Sequence, residues 1–233
     1  MRIAIISDIH SNLEALTKAF EIIEQKNVDE IICLGDIIGY GANPNECLSL
    51  IKQNSTQILL GNHESVIVNP AQIEEFTPNA RIAAMWTYEQ LDDDNISFIK
   101  NLPLTIKLSD LLFVHSSPFE PEEWHYIIYH EERDRNFKYF SENICFFGHT
   151  HFPGIYTDGG EEKNINRNEK FLINVGSVGQ PRDHDPNLSF GIFDTQLWNY
   201  ENIRAEYDIK TASEKILSAG LPRHLAERLF VGR

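Results

Sequence analysis

Residues 2–36 read RIAIISDIHSNLEALTKAFEIIEQKNVDEIICLGD, and their pattern indicates the fold class. It begins with an apolar run at 2–6, continues with a helical pattern at 13–26, and ends with a second apolar run at 30–34. Leu13, Leu16, Phe20 and Ile23 recur at the spacing that places side chains on one face of a helix. A strand, a helix and a strand in this order predict a βαβ unit.

Polar residues mark where the helices of this first region begin. Ser11 is followed by Glu14 three residues later, a capping-box pattern, so we expect Ser11 to cap the first helix. Asn43 and Pro44 predict the start of a second helix over 44–53, and residues 56–60 predict a third strand. The strand–helix pattern is therefore repeated within the first sixty residues.

The remainder of the chain alternates short apolar runs with polar turns. We expect helices at 77–91, 93–100, 211–218 and 222–230, and a short helix within 116–139. We expect strands at 104–108, 111–115, 144–147, 154–158, 171–175, 188–194 and 202–209, and an exposed hairpin loop at 159–170. No linker or repeat interrupts this order, so residues 1–233 predict a single domain.

The composition disfavours several classes of function. Hydrophobic residues make up 42% and charged residues 24%, as in ordinary folded proteins. The formal net charge of −15 opposes binding to nucleic acid and to anionic membranes. The apolar runs are too short for a signal peptide or a membrane span. Cys33, Cys47 and Cys145 lack metal-site spacing, so we expect buried, reduced thiols and a cytoplasmic location.

Residue types that bind metals follow five of the predicted strands, at the point where each strand ends. They are Asp8, His10, Asp36, Asn62, His115, His149 and His151. Because sites in open α/β sheets are built at the carboxyl ends of strands, we expect these side chains to converge. His149 and His151 are two positions apart, which in an extended segment would direct both imidazoles to one side.

This set of candidate ligands offers nitrogen and oxygen atoms and no thiolate. Such ligands suit Mn²⁺, Fe, Co²⁺, Ni²⁺ or Zn²⁺ better than Ca²⁺. Seven ligands are too many for one such ion, whereas two ions that share a carboxylate fit the number. We therefore expect two divalent metal ions, with Mn²⁺ favoured.

The same residues resemble the motifs of the calcineurin-like metallophosphoesterase family, in that family's order. The motifs correspond to residues 8–10 (DIH), 35–36 (GD), 61–64 (GNHE), His115 and 148–151 (GHTH). Residues 7–16 and the segment from Gly176 to Arg182 look like the small bacterial and archaeal phosphodiesterase branch. The resemblance implies a mixed α/β fold, a four-layer α/β/β/α sandwich of two β-sheets flanked by helices.

The resemblance also implies a role for each residue of the motifs. One ion would bind Asp8, His10, Asp36 and His151; the other would bind Asp36, Asn62, His115 and His149. Asp36 is then the bridge, His63 contacts the substrate and assists the leaving oxygen, and Glu64 orients its neighbours. The implied reaction is hydrolysis of a small-molecule phosphate ester by direct attack of a metal-bound hydroxide.

Two further residues are candidates for contact with the substrate. Arg182 carries a guanidinium group, which suits bidentate contact with phosphate. Tyr40 stands where the GDxVxRG motif of protein phosphatases and dinucleoside tetraphosphate hydrolases has an arginine. That departure favours a phosphodiesterase over a phosphomonoesterase or a nucleotide pyrophosphohydrolase.

Other functions stay open from the sequence. A catalytically idle chain of this fold could be a scaffold for protein binding, although the complete ligand set and His63 disfavour that interpretation. A nuclease of the same broad family is disfavoured by the negative charge. The sequence does not determine the oligomeric state, the physiological substrate or the native metal.

Overall fold

A computed structural model describes residues 1–161 and 164–233. Helices and strands alternate in the first half of the chain, and strands dominate the second half. The strands are β1 (Arg2–Ile6), β2 (Glu30–Cys33), β3 (Gln57–Ile58), β4 (Thr105–Leu108), β5 (Leu111–Val114), β6 (Ile144–Phe147), β7 (Gly154–Thr157), β8 (Gly160–Glu161), β9 (Phe171–Asn174), β10 (Leu188–Asp194) and β11 (Asn199–Ala205).

The helices connect these strands and extend to the end of the chain. They are α1 (Leu13–Gln25), α2 (Pro44–Asn54), α3 (Asn62–Val68), α4 (Pro78–Gln90), α5 (Asp93–Ile99), α6 (His130–Asn136), α7 (Ile209–Ser218) and α8 (Arg223–Glu227). Short 3₁₀ helices occupy Pro70–Glu75, Pro121–Glu123 and Arg228–Val231.

The strands form two mixed sheets. The first sheet has the order β11-β10-β1-β2-β3, in which β1, β2 and β3 are parallel and β10 and β11 run antiparallel to their neighbours. The second sheet has the order β4-β5-β6-β9-β7-β8, with β5, β6 and β9 parallel. Parallel strands end at the same edge of a sheet, so the loops that follow β1, β2 and β3 are neighbours.

Apolar side chains fill the space between the two sheets. Ile3 and Ile5 of β1 belong to one buried cluster with Phe146 of β6, in the opposite sheet. Ala4 and Ile6, which alternate with them, belong to the cluster that packs the first sheet against α1 and α2. Because β1 is covered on both faces, an unbroken apolar run forms it.

A third cluster covers the outer face of the second sheet. Phe147 and Cys145 of β6 pack there against Phe137 and Phe140, which follow helix α6. The layers are therefore helices, first sheet, second sheet and helix. The predicted α/β/β/α sandwich is confirmed.

The cap of the first helix differs from the prediction. The Asn12 side chain, rather than Ser11, accepts the hydrogen bond from the Ala15 N–H (3.1 Å). Ser11 has a left-handed backbone (φ 53°), and its N–H donates to the Ile37 carbonyl (2.8 Å). Ser11 therefore belongs to the loop between β1 and α1, and the helix begins one position later than a Ser11 cap would place it.

The last strand lies at Asn199–Ala205, so the predicted range 202–209 was wrong. The Asp194 carboxylate accepts hydrogen bonds from the N–H groups of Gln196 and Leu197 (both 2.9 Å). This tight turn lets Asn199 pair with Asp194 at once, so β11 begins early. Asp208 then caps α7 by accepting from the Thr211 N–H (3.0 Å).

The remaining expectations have mixed outcomes. The third strand is shorter than predicted, and β8 lies within the predicted hairpin loop, of which residues 162 and 163 fall outside the described residues. All three cysteines are buried and free, as expected. Within 1–161 and 164–233, no helix combines the length and apolarity needed to cross a bilayer.

Replacement of Phe146 by alanine should destabilise the protein by about 3–5 kcal/mol, because it opens a cavity between the sheets. The Phe146 side chain has no solvent exposure, and its ring lies 5.3 Å from that of Phe113 and 5.5 Å from that of Phe193. Urea unfolding measures the change. Leu197→Ala, at a side chain that is 78% exposed, is the control. A loss below about 1 kcal/mol for Phe146→Ala would contradict this packing.

Candidate metal centre

The structure brings all seven candidate ligands together where strand ends of both sheets meet. Ligand atoms of Asp8, His10 and His151 lie within 4.8 Å of one another, and so do those of Asp36, His115 and His149. Asn62 joins the second group, with its Oδ1 atom 3.1 Å from His115 Nε2. All but Asn62 are buried, and Asn62 is half-buried.

Asp36 connects the two groups. Its Oδ2 atom lies 3.3 Å from His115 Nε2 in the second group and 3.8 Å from His10 Nε2 in the first. Its Oδ1 atom accepts a hydrogen bond from the His63 N–H (2.9 Å). Asp36 Oδ2 thus faces imidazoles of both groups, while Asp36 Oδ1 is held by a backbone N–H of α3.

Backbone carbonyls determine which nitrogen of three imidazoles faces the centre. The Nδ1 atoms of His10, His115 and His151 donate to the carbonyl oxygens of Ile38 (3.2 Å), Leu34 (3.1 Å) and Gln180, respectively. With the proton on Nδ1, each neutral ring presents an Nε2 lone pair to the centre. A hydrogen bond from the other ring nitrogen is the usual arrangement of a histidine that binds metal.

Acceptor atoms therefore face one another at short range. His10 Nε2 lies 3.1 Å from His151 Nε2, which in turn lies 3.1 Å from Asp8 Oδ1. Among the described residues, Asp8 Oδ1 and His149 Nε2 are buried without a hydrogen-bond partner. Buried polar atoms nearly always have a partner, and a cation would supply one here. The residues present fit divalent metal ions.

Burial sets the protonation of most of these imidazoles. It lowers the pKa of His10 and His151, and it lowers the pKa of His149 to about 3. These rings are neutral at pH 7, as metal binding requires. His115 differs: burial opposes its charge, but Asp36 overcomes that effect and raises the pKa to about 9. A cation bound at His115 Nε2 would have to displace that proton.

The two carboxylates are ionised in spite of their burial. Burial alone would raise the pKa of Asp36, but the neighbouring His115 and His63 hold it well below its usual value. Burial likewise opposes the charge of Asp8, and His151 outweighs it, so the pKa of Asp8 is lowered. The centre therefore holds two negative charges that water does not solvate.

The backbone at the strand ends is left-handed at five of these residues. The φ angles of Asp8, His10, Asp36, His149 and His151 lie between 49° and 63°. The expectation that an extended segment carries His149 and His151 was wrong. Their left-handed turns deliver the two imidazoles to different groups, one with Asp36 and the other with Asp8.

The loop after β2 is fixed by a glutamate that does not belong to the candidate ligands. Glu64 Oε2 accepts from the N–H groups of Asp36 (2.8 Å) and Gly61 (3.0 Å). Glu64 Oε1 accepts from those of Ile37 (2.8 Å) and Ile38 (3.0 Å). Burial and the charge of Asp36 raise the pKa of Glu64 to about 7, against the effect of these donors. Glu64 orients the Asp36 loop, as expected from the sequence.

His63 and Tyr40 border the centre. The His63 ring lies 4.8 Å from the His10 ring and 4.6 Å from the Tyr40 ring. Burial lowers the pKa of His63 to about 4, and the positive charge of Arg182 acts in the same direction. Gly39 has a φ of 90°, and a Cβ there would lie 2.2 Å from His63 Nδ1, so only glycine fits.

Sequence reasoning missed three features of the site. Helix α3 starts at Asn62, where only a strand end was expected, and residues 59–61 separate it from β3. Its signal was Gly61 followed by Glu64, an N-terminal capping pattern. The centroid of the Tyr126 ring lies 4.1 Å from that of His149, and the centroid of the Trp124 ring lies 6.0 Å from that of His115. No local pattern in the aromatic 116–139 segment distinguishes these two residues.

Comparison with known proteins identifies the family. Residues 1–197 match the calcineurin-like phosphoesterase superfamily domain. The chain belongs to this superfamily. It is 35% identical to the metallophosphoesterase of Sphaerobacter thermophilus, whose crystal structure superposes with a TM-score of 0.90 over 100% of this chain and 99% of that one.

Relatives known by sequence include proteins with and without an assigned activity. An uncharacterised protein of Methanocaldococcus jannaschii is 41% identical over 99% of this chain and 98% of its own. The phosphodiesterase YfcE of Escherichia coli is 22% identical over 84% of this chain and 89% of its own. A symmetrical bis(5′-nucleosyl)-tetraphosphatase of Actinobacillus pleuropneumoniae is 25% identical over 52% of this chain and 46% of its own.

The exchange Glu64→Gln should weaken binding of divalent ions by about 10- to 100-fold, because an amide has one acceptor oxygen where the carboxylate has two and the Asp36 loop loses its fixed geometry. Calorimetric titration of the metal-free protein with Mn²⁺ measures this effect.

Glu46→Gln is the matched control for this exchange. Glu46 also lies in the first turn of a helix, but it is exposed and accepts a hydrogen bond from the Asn43 side chain. Its Mn²⁺ affinity should equal that of the wild type. Unchanged affinity in a folded Glu64→Gln protein would show that the carboxylate does not organise the centre.

Proposed function

We propose that this chain is a dinuclear metal-dependent phosphoesterase that hydrolyses a small-molecule phosphate ester, with phosphodiesters favoured. The observation that carries the proposal is the pair of buried acceptor groups joined by Asp36. Each group combines an ionised carboxylate with imidazole nitrogens, and in the first group acceptor atoms approach one another to 3.1 Å, an arrangement that a cation would stabilise. Membership in the superfamily supports the phosphoesterase class.

The distances support one ligand set for each ion. The first ion would bind Asp8, His10, Asp36 and His151, and the second would bind Asp36, Asn62, His115 and His149. The mixture of nitrogen and oxygen ligands favours Mn²⁺ and also suits Fe, Co²⁺, Ni²⁺ or Zn²⁺. When bound, two such ions activate water and neutralise the charge that develops on phosphate oxygens.

His63 is the residue of this chain that we assign to the substrate. Its N–H is tied to Asp36 Oδ1 (2.9 Å), and its ring lies against those of His10 and Tyr40, so its position is fixed. The neutral ring can donate an N–H to a phosphate oxygen. An arriving phosphate adds negative charge, which favours protonation of His63 and thus proton transfer to the leaving oxygen.

The border of the centre favours phosphodiesters. The Tyr40 ring lies 4.7 Å from the His10 ring, at the place where the GDxVxRG motif of protein phosphatases and dinucleoside tetraphosphate hydrolases carries an arginine. A dianionic phosphomonoester has more charge to neutralise than a monoanionic diester. Loss of that arginine therefore disfavours monoesters most, and the similarity to a phosphodiesterase agrees with this order.

His63→Ala should retain bound metal and lose about 10²- to 10⁴-fold in kcat on a diester, the usual contribution of a proton donor. Metal content is measured by elemental analysis and turnover with bis(p-nitrophenyl) phosphate. His224→Ala, at an exposed position in α8, should retain both. Wild-type turnover by metal-loaded His63→Ala would remove this residue from the reaction.

A substrate panel tests the function itself. Protein reconstituted with Mn²⁺, Ni²⁺, Co²⁺ or Zn²⁺ is assayed with phosphodiesters, phosphomonoesters and cyclic nucleotides. We expect two ions per chain and faster turnover of diesters than of monoesters.

The panel also separates the alternatives. Bound metal without turnover of any phosphate ester would favour an idle scaffold for protein binding. Faster turnover of monoesters would favour a phosphomonoesterase. Failure of the purified protein to bind divalent ions at all would contradict the proposal.

A further inference from the structure

Two arginine side chains from separate segments converge on the Tyr40 ring, at the border of the metal centre. The guanidinium carbon of Arg182, in the loop before β10, lies 5.7 Å from the ring centroid. That of Arg228, in the last 3₁₀ helix, lies 6.0 Å from it. The same ring lies 4.7 Å from the His10 ring and 4.6 Å from the His63 ring, so both cations lie near the metal centre.

Among the described residues, no aspartate or glutamate side chain pairs with either cation. Arg182 donates to the neutral Gln180 Oε1 (2.9 and 3.3 Å), and Arg228 Nε donates to a main-chain oxygen of Arg233, the last residue of the sequence. Arg204, by contrast, pairs with Asp183. In a chain of net charge −15, two such neighbouring cations are unusual.

The repulsion between the two cations is not relieved by solvent alone. Both side chains are half-buried. Burial, followed by the positive charge of Arg182, lowers the pKa of Arg228 to about 10. Keeping like charges together in a partly buried site has a free-energy cost, and a bound anion would remove it.

Hydrogen bonds hold the two segments against each other. The His184 N–H donates to the Gly232 carbonyl (2.8 Å), and Arg233 Nε donates to His184 Nδ1 (3.3 Å). Next to Arg228, Leu229 is buried in a cluster with residues of α7 and α8, against which Tyr40 also packs. The arginine pair is thus built into the fold, and Arg228 lies beyond residue 197, where the family match ends.

We propose that Arg182 and Arg228 form a second anion site beside the metal centre, so that the substrate carries another phosphoryl group next to the one that is cleaved. This inference rests on the proposed function. Guanidinium groups bind phosphate oxygens through paired, charge-assisted hydrogen bonds. The second phosphoryl group is joined to the scissile one through an anhydride, as in a nucleoside diphosphate, or through a separate ester, as in a nucleoside bisphosphate.

The test compares ligands that differ by one phosphoryl group. AMP, ADP and adenosine 3′,5′-bisphosphate are added to protein with Mn²⁺ in fixed excess. Binding is measured from the ligand-induced rise in melting temperature and from inhibition of diester hydrolysis. Wild-type protein should bind ADP or the bisphosphate about 10- to 100-fold more tightly than AMP, since hydrogen bonds to charged groups contribute on that scale.

Three variants separate the arginine site from other causes. Arg228→Gln and Arg182→Gln should each lose most of the preference for ADP or the bisphosphate over AMP. The affinity of Arg228→Gln for AMP should differ from that of the wild type by less than about threefold. Arg223→Gln, an arginine of the same segment that pairs with Glu227, should keep the preference. ADP also binds free Mn²⁺, but this effect is the same for every variant and does not change the comparison between variants.

The outcome also identifies the link between the phosphoryl groups. A preference for ADP assigns an anhydride, and a preference for the bisphosphate assigns a separate ester. Equal ligand preference in wild type and in folded Arg228→Gln would overturn the anion site, even if diester hydrolysis persists. Absence of metal binding and of hydrolysis in the wild type would instead overturn the proposed function.

Discussion

The geometry of the site depends on the hydrogen bonds that the Glu64 carboxylate accepts from four backbone N–H groups. These donors lie on the loops that follow β2 and β3, so one side chain ties two strand ends together. The preceding residue, His63, donates its backbone N–H to the Asp36 side chain. A single turn of α3 therefore fixes both the backbone and the carboxylate of Asp36. Asp36 can then keep a left-handed backbone, which an unsupported aspartate would seldom adopt.

This scaffold keeps the acceptor atoms of Asp8, His10 and His151 close together, although they repel one another. Two ionised carboxylates and several neutral imidazoles are buried together, and their lone pairs approach to about 3 Å. Such an arrangement is unfavourable by itself, and the hydrophobic packing of both sheets must offset it. A cation that binds only the folded chain would add its binding free energy to the stability of the protein. Folding and metal binding are thus expected to be coupled through the strand ends.

The sequence predicted the parts of this structure that follow from periodicity and from strand ends. β1 was predicted from an apolar run and α1 from helical spacing, and Asp8 and His149 were predicted from their positions after apolar runs. Left-handed turns were not predicted, because the backbone there is held by contacts between distant segments. Tyr126 was missed for the same reason: its place on His149 depends on how the 116–139 loop folds back. The single-domain organisation stays a prediction.

The candidate metal ligands and the residues proposed to contact the substrate lie on different parts of the fold. The candidate metal ligands follow strands at the rigid centre of the sandwich, so chains with the same sheets can share them. Tyr40, Arg182 and Arg228 lie on loops and on the C-terminal helical segment, where sequence can change at little cost to the core. Arg228 is 46 positions from Arg182, and only tertiary packing of α7 and α8 brings it to Tyr40. The phosphoesterase class can therefore be argued from motifs, whereas the proposed role of Arg228 rests on a contact that appears only in the folded chain.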